Sequence, residues 1–586
     1  MIPVVFDNCR GWLHPGAARR GVILCGAHGF EDLCSRSSLR LLAEEISARE
    51  MPVLRFDWRG TADSEGDGEA PHRVATWLGN IGEAARKLVE MTGVEEVVLV
   101  GLRLGALLAL EAARDIAPVR LVLLAPPASG RALKRELEVM SRIFQGKPGA
   151  AEDAGFDGVS AAGFRISRET LDDLALVGSR RFSGAKDCAT LILTQNPEGS
   201  PLVDKLRDLG ADVTAEPFEG YAEMMCDPTA ALPPAKAISR IADFVNEGIN
   251  PVIASEAKHS IPGRLPCFGD GFFRSSTPRN DRFEPAILAT KSWREEAALF
   301  GPDNRLVGIY CRPPADERPT RAVVFLNTGG VYHIGWARMF VDMARHLAES
   351  GVASLRMDLS GVGDSLSPLG PDRAPLFDRG LTRDTEAAID WLISQGVRDV
   401  SLFGACSGAY QAFHAAVEDR RVTKIALVNQ SCFLYGPTYA MQIEAWRRTK
   451  AADVNMKLAG DGGEGEAKGA RALLFALAKK VVKAGLVHAT DASFAIRRMV
   501  PGLNPVERWF GELSARGAQT LLIYSENDPG LAELERHLGE RGRAAAPLPG
   551  VRTTTISGAD HELTPRSARE ALSAALDAFV SGRRAA

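Results

Sequence analysis

Apolar residues in this chain collect in short unbroken runs that alternate with longer stretches in which they recur as on one face of a helix. Unbroken runs are the mark of strands buried on both sides, and the amphipathic stretches supply helices to cover them. Such runs lie within Gly21 to Gly29, before Gly101, at Arg120 to Ala125, Thr190 to Thr194 and Val213 to Phe218. In the second half they lie within Ala322 to Gly330, at Val400 to Phe403, Lys424 to Asn429, Thr520 to Tyr524 and Arg552 to Ile556. The pattern predicts α/β architecture, with mostly parallel sheets carrying helices on both faces. The longest run, Val97 to Ala113, is interrupted by Arg103 and by glycines. It reads as strand, turn and helix, and no membrane span is expected.

The plan occurs twice, at a period of about 300 residues, which indicates a duplicated domain and not a solenoid. Leu54-Arg55-Phe56-Asp57 leads to Gly60 and Asp63-Ser64; Leu355-Arg356-Met357-Asp358 leads to Gly361 and Asp364-Ser365 with the same spacing. Each copy then carries a glycine-flanked turn between strand and helix, Gly101-Leu102-Arg103-Leu104-Gly105 and Gly404-Ala405-Cys406-Ser407-Gly408. Each also opens with a predicted hairpin, near Val4 to Trp12 and Ala297 to Cys311. Between the copies, Asn250 to Asp281 is rich in Ser, Pro, Arg and Gly and has neither period, so residues 250–285 read as a flexible linker. The linker's Val252 to Lys258 and Pro278 to Asp281 resemble the translated palindromic repeats that some bacterial genomes insert into genes. The expected domains are therefore 1–249 and 286–586, the second with a mostly helical lid insertion at about 435–509.

A chain of 586 residues exceeds what one core accommodates, consistent with two domains. Apolar and charged fractions of 45% and 25% are those of an ordinary soluble protein, and a formal charge of −4 supplies no attraction for nucleic acid. The residues Met1 to Gly16 lack the basic start and apolar core of a signal peptide. The nine cysteines form no CxxC pair and no Cys/His cluster at metal spacing, so reduced thiols and a cytoplasmic location are expected. No metal or redox cofactor is expected, since there is neither a P-loop nor a dinucleotide fingerprint.

The turn around Cys406 has the form glycine, any residue, nucleophile, any residue, glycine, between a strand and a helix. This half, from about Trp293 to Val580, resembles the α/β hydrolases, whose nucleophile sits at such an elbow. The family order is nucleophile, acid, histidine, each at the carboxyl end of a strand. By that resemblance Asp528, after Thr520 to Tyr524, is the acid, and His561, after Arg552 to Ile556, is the base. Asp560 and Glu526 are alternative acids, and Ser407 is the rival nucleophile, one residue past the apex. The resemblance implies an oxyanion hole built from the Ser407 amide and one from the loop Asn327 to Val331, at Gly330 or Val331. Asp358 and Asp364 fall in a shared structural turn; His333 lines the site or bonds only to backbone.

The first copy, Val4 to Val245, resembles the same superfamily but has lost its triad. Arg103 stands at the apex, Gln195-Asn196-Pro197-Glu198 at the acid and Glu219 to Glu223 at the histidine. An arginine stays protonated and cannot act as nucleophile. Arg103 is a candidate anion-binding residue; the competing expectation is a salt bridge to Glu223 or Asp63. With its His28 to Cys34 loop, this copy resembles hydrolase-like proteins encoded beside exosortase and exopolysaccharide systems.

The second copy is similar to the serine-aminopeptidase-like branch, with Cys for Ser. Dienelactone hydrolases and polyhydroxyalkanoate synthases are relatives with Cys at this apex. The resemblance implies acyl transfer through a Cys406 acyl-enzyme, with a small-molecule ester or thioester as donor and water or an alcohol as acceptor. The apolar Ala472 to Val482 of the insertion suits an acyl pocket or ordinary helix packing. The rival expectation is a non-catalytic binding or scaffolding protein, linked to exopolysaccharide or envelope biosynthesis.

Overall fold

A computed structural model describes residues 1–145, 155–178, 183–248, 286–314, 319–368, 376–436, 439–440 and 504–582. The linker 250–285 lies outside these residues, as does most of the insertion expected at 435–509, Ala472 to Val482 included.

The first sheet runs, in spatial order, Ile2–Phe6, Cys9–His14, Val53–Phe56, Arg20–Cys25, Glu96–Leu102, Arg120–Leu124, Ala189–Thr194 and Val213–Pro217. The second runs Ile287–Ala289, Arg294–Phe300, Leu306–Arg312, Ala353–Met357, Arg321–Leu326, Asp399–Ala405, Val422–Val428, Gln519–Ser525 and Val551–Ile556. The opening hairpin of each sheet is antiparallel, and the strands beyond it pair in parallel. Ile287–Ala289 and a separate hairpin, Gly158–Ala161 with Phe164–Ser167, were not expected from the sequence; both are too short for a clear alternation to show.

Helices Leu104–Ile116 and Ser407–Glu418 leave the two elbows and pack on their sheets through faces that are almost wholly buried. The strand residues Leu99, Leu121 and Leu123 of the first sheet and Leu402, Ile425 and Leu427 of the second face these helices, and Val98, Val100, Phe403 and Val428 line the opposite cores.

The two copies pack against each other around a buried, reciprocal set of charges. Arg55 of the first copy pairs with Asp364 at 2.7 Å, and its counterpart Arg356 pairs with Asp63 at 2.5 Å. Arg36 bridges Asp57 and Asp364, while His333 bridges Asp358 and Asp63 at 2.8 and 2.6 Å. The turn beneath is duplicated as well. Ser64 accepts from the Arg10 amide and donates to the Asp57 carbonyl, as Ser365 does between Val307 and Asp358. Trp12 packs on Val307 and Ile309, and Leu33, Ala62 and Ala162 join the core of the second copy. A surface shared by two related folds in this way has the form of a two-fold interface within one chain.

Candidate active site

Cys406 sits at φ 53°, ψ −115° and Arg103 at φ 55°, ψ −114°. Both elbows therefore hold a side-chain-bearing residue in a strained region. The flanking glycines are sterically required. A Cβ on Gly404 would lie 2.1 Å from the Gly408 carbonyl oxygen, and one on Gly408 would lie 2.5 Å from that of Asn327. Gly101 and Gly105 are equally confined, so the first copy keeps the backbone device with an arginine where the second has a cysteine.

The structure brings Cys406, His561 and Asp528 together at the carboxyl ends of the strands Asp399–Ala405, Val551–Ile556 and Gln519–Ser525. His561 Nδ1 donates to Asp528 Oδ2 at 2.6 Å, and the other Asp528 oxygen accepts from the Gly530 amide at 2.7 Å. Burial disfavours a charged His561, but the neighbouring Cys406 and Asp528 and the hydrogen bonds to both prevail and raise its pKa well above the usual histidine value. Among the described residues the other cysteines are buried, and only Cys406 is partly exposed.

Of the alternative acids, Asp560 is engaged elsewhere, accepting from the Thr564 amide and hydroxyl, both at 2.7 Å. Glu526 is exposed. Ser407 is buried, and its hydroxyl accepts from the Gly329 amide at 2.9 Å, pointing into the loop and not beside Cys406. As the first residue of its helix, Ser407 has an amide without an intrahelical acceptor. The Gly330 and Val331 amides, expected as oxyanion donors, are already engaged. Gly330 donates to Thr229 Oγ1 at 3.1 Å and Val331 to the Thr328 carbonyl at 3.1 Å.

His333 takes neither expected role. It is fully buried between two carboxylates at the interface of the copies, which overcome the cost of burial and raise its pKa to about 10. Asp358 receives the Asn327 side chain and the His333 and Asp364 amides, as a structural turn residue does. Arg103 pairs with Glu31 at 2.7 Å and with Glu136, and donates to the Ala125 carbonyl at 3.2 Å. Asp63 does not reach it, being drawn to His333 and Arg356 of the second copy, and among the described residues its carboxylate partners are Glu31 and Glu136, not Glu223. The proposed anion position already holds two carboxylates of the chain itself.

The sequence did not single out Asn429, whose side-chain amide donates to Ser525 and to the His561 carbonyl, both at 2.9 Å, tying the acid and histidine loops together. An Asn directly after a buried strand was the available signal, since Asn tolerates the positive φ (46°) found there. Ser431 lies 3.9 Å from Cys406 Sγ and accepts from the Tyr439 hydroxyl at 3.1 Å. Tyr439 packs with Phe377 and Tyr410 to form an aromatic wall. A separate cavity of about 670 Å³ between the copies, lined by His28, Trp58, Trp293 and Arg338 among others, does not include Cys406, Asp528 or His561. Among the described residues there is no group of three or more His, Cys, Asp or Glu side chains able to hold a metal, and no helix long and apolar enough to cross a membrane.

Comparison with known families agrees with the fold. An alpha/beta hydrolase family model matches residues 323–575, and the serine aminopeptidase S33 model matches residues 18–152. The S33 match thus falls on the first copy, whereas the sequence had suggested that branch for the second. The uncharacterized protein YcjY of Escherichia coli is 32% identical over 126 residues, covering 21% of this chain and 39% of YcjY. The chain thus spans about two fifths of the length of that curated relative. A membrane phospholipase A described as a bacterial virulence factor is 22% identical, over 50% of this chain and 88% of its own, at a TM-score of 0.31. A dienelactone hydrolase from Anabaena variabilis is 18% identical, over 50% of this chain and 99% of its own, at 0.30. The two matched regions and the two sheets together establish that this chain carries the α/β-hydrolase fold twice in tandem.

Proposed function

We propose that the protein is an acyl-transfer enzyme that takes an ester or thioester through a Cys406 acyl-enzyme. The observation that carries this reading is the His561 imidazole, oriented by Asp528 at 2.6 Å and hydrogen-bonded to Cys406 at the elbow apex. A thiol is only slightly ionised at neutral pH, and an adjacent imidazolium stabilises the thiolate. In the first step the Cys406 sulfur attacks the acyl carbonyl carbon. The Ser407 amide faces the developing oxyanion, and His561 returns the proton to the departing alcohol or thiol. In the second step His561 takes a proton from water or an acceptor alcohol, whose oxygen attacks the thioester carbonyl and releases Cys406. Asp528 accepts from His561 Nδ1 and keeps the imidazole in the required tautomer. The aromatic wall at Phe377, Tyr410 and Tyr439 suits an apolar acyl group.

The test is intact-protein mass spectrometry after incubation with activated acyl esters of graded chain length, comparing wild type, Cys406→Ala and Ser407→Ala. The expected result is an acyl adduct absent only from Cys406→Ala. Loss only in Ser407→Ala would place the nucleophile at the neighbouring residue. Folded protein that accepts no acyl group would favour the binding or scaffolding role, to which the triad-less first copy already conforms.

A further inference from the structure

We propose that the degenerate first copy completes the catalytic site of the second, with Thr229 and the Ala162-Gly163 hairpin tip fixing the two loops that flank Cys406. This inference rests on the acyl-transfer reading above.

The first contact is at the loop that follows Arg321–Leu326. Thr328-Gly329-Gly330 has two consecutive glycines, which give the backbone wide conformational freedom unless something outside the loop restrains it. The restraint comes from the other copy. Thr229 Oγ1 accepts from the Gly330 amide at 3.1 Å. A Cβ on Gly330 would lie 2.1 Å from the Pro228 carbonyl oxygen, and one on Gly329 would lie 2.4 Å from Thr229 Oγ1. Both glycines are therefore needed for the first copy to approach this closely. Thr229 is itself held, its amide donating to Asp227 Oδ1 at 2.9 Å. The restrained loop in turn holds the elbow, because the Gly329 amide donates to Ser407 Oγ at 2.9 Å. Thr229 thus lies one loop residue away from the peptide that carries the remaining oxyanion donor. Thr229 is a positioning residue, since it acts through Gly329, Gly330 and Ser407.

A second contact reaches the histidine loop. The hairpin Gly158–Ala161 and Phe164–Ser167 presents Ala162-Gly163 to the second copy, where the Trp336 indole donates to the Ala162 carbonyl at 2.8 Å. Arg569 Nη1 joins the Gly163 carbonyl, at 3.2 Å, to the Thr564 carbonyl, at 2.8 Å. Thr564 is bound by Asp560, the residue before His561. Ala162 also packs in one core with Ala559 and Leu563, on either side of His561 in sequence. Both loops that set the geometry around Cys406 are therefore braced by the copy that has no triad. Donors and bases act only when held to within roughly 0.5 Å of the productive position. That requirement gives the first copy a catalytic consequence without chemistry of its own.

The experiment uses the full chain and an activated ester, p-nitrophenyl butyrate, with single-turnover acylation of Cys406 followed over a range of ester concentrations. Thr229→Val keeps the shape and removes the acceptor; Thr229→Ser keeps the acceptor. The expected result is a saturating acylation rate lowered by about tenfold or more in Thr229→Val, at little-changed half-saturation and melting temperature, with Thr229→Ser restoring most of it. Gly163→Ala places a Cβ 2.8 Å from Arg569 Nη1 at a φ of +83°, and should shift the pH profile of acylation through the His561 loop. An acylated wild type with Thr229→Val within about twofold of it, or faster, overturns the role of the first copy alone, as does a loss that Ser does not rescue. A folded Gly163→Ala variant with an unaltered profile overturns the hairpin's part. Wild type that is never acylated overturns the acyl-transfer reading, and this inference with it.

Discussion

Asp364→Asn is the sharpest probe of the interface between the copies. The Asp364 side chain has 0% exposure and lies 2.9 Å from Arg36 and 2.7 Å from Arg55. The substitution keeps the volume and removes the charge. Arg36 retains Asp57 at 2.5 Å and stacks over the Tyr332 ring at 4.6 Å. Arg55 retains His14, the Met1 sulfur and the Trp12 ring at 6.0 Å, so it becomes a buried cation without a carboxylate. Breaking a buried pair by removing one partner costs about 3–5 kcal/mol. At about 2–4 °C per kcal/mol for a domain of this size, the melting temperature should fall by about 6–20 °C. Adding Arg55→Met removes the orphaned cation. The double variant should therefore be more stable than the sum of the single effects by at least about 1.5 kcal/mol. The assay is calorimetry with fluorescence of the interface tryptophans Trp12 and Trp336. A melting temperature within about 1 °C of wild type, or strictly additive effects, would refute the account of a desolvated, mutually dependent pair.

The remaining predictions concern protons. Asp528→Asn preserves the space but loses the acceptor that holds His561 Nδ1, so acylation should fall by roughly 10⁴-fold while the fold survives, as circular dichroism and single-turnover rates will show. His333 titrates near 6.5 in an unfolded chain and at about 10 when folded. Its stabilising contribution is fully present below about 6.5 and is lost as pH rises toward about 10. The melting temperature should therefore decline between neutral pH and pH 10, and less steeply in His333→Gln. Parallel curves for the two proteins would contradict this.

The duplicated plan, both elbows and the order of Cys406, Asp528 and His561 were legible in the sequence. Each depends on local requirements: unbroken apolar runs for strands buried on both sides, and glycines where the elbow crowds a neighbouring backbone. Gly404 and Gly408 are legible for that reason. The same logic singled out Arg103 at the apex of the first copy, because an arginine there declares its chemistry by residue type alone. The partners of charged side chains were not legible. Asp63 looked like half of a shared turn, and His333 like a site residue or a loop histidine, because nothing local records which surface of the other copy they meet.

Asp63 and His333 are 270 residues apart, and only the packing of the two sheets sets Nε2 2.6 Å from the carboxylate. Thr229 is likewise an ordinary turn residue until the first copy lies against Gly330. The sequence by itself determined which elements form and which chemical groups stand at their ends, since backbone sterics and apolar periodicity act over a few residues. Only the tertiary structure decided which buried charges neutralise one another and which loops brace the site. Coulombic pairing and hydrogen bonding depend on distance in space, and that distance is fixed by packing between segments far apart in the chain.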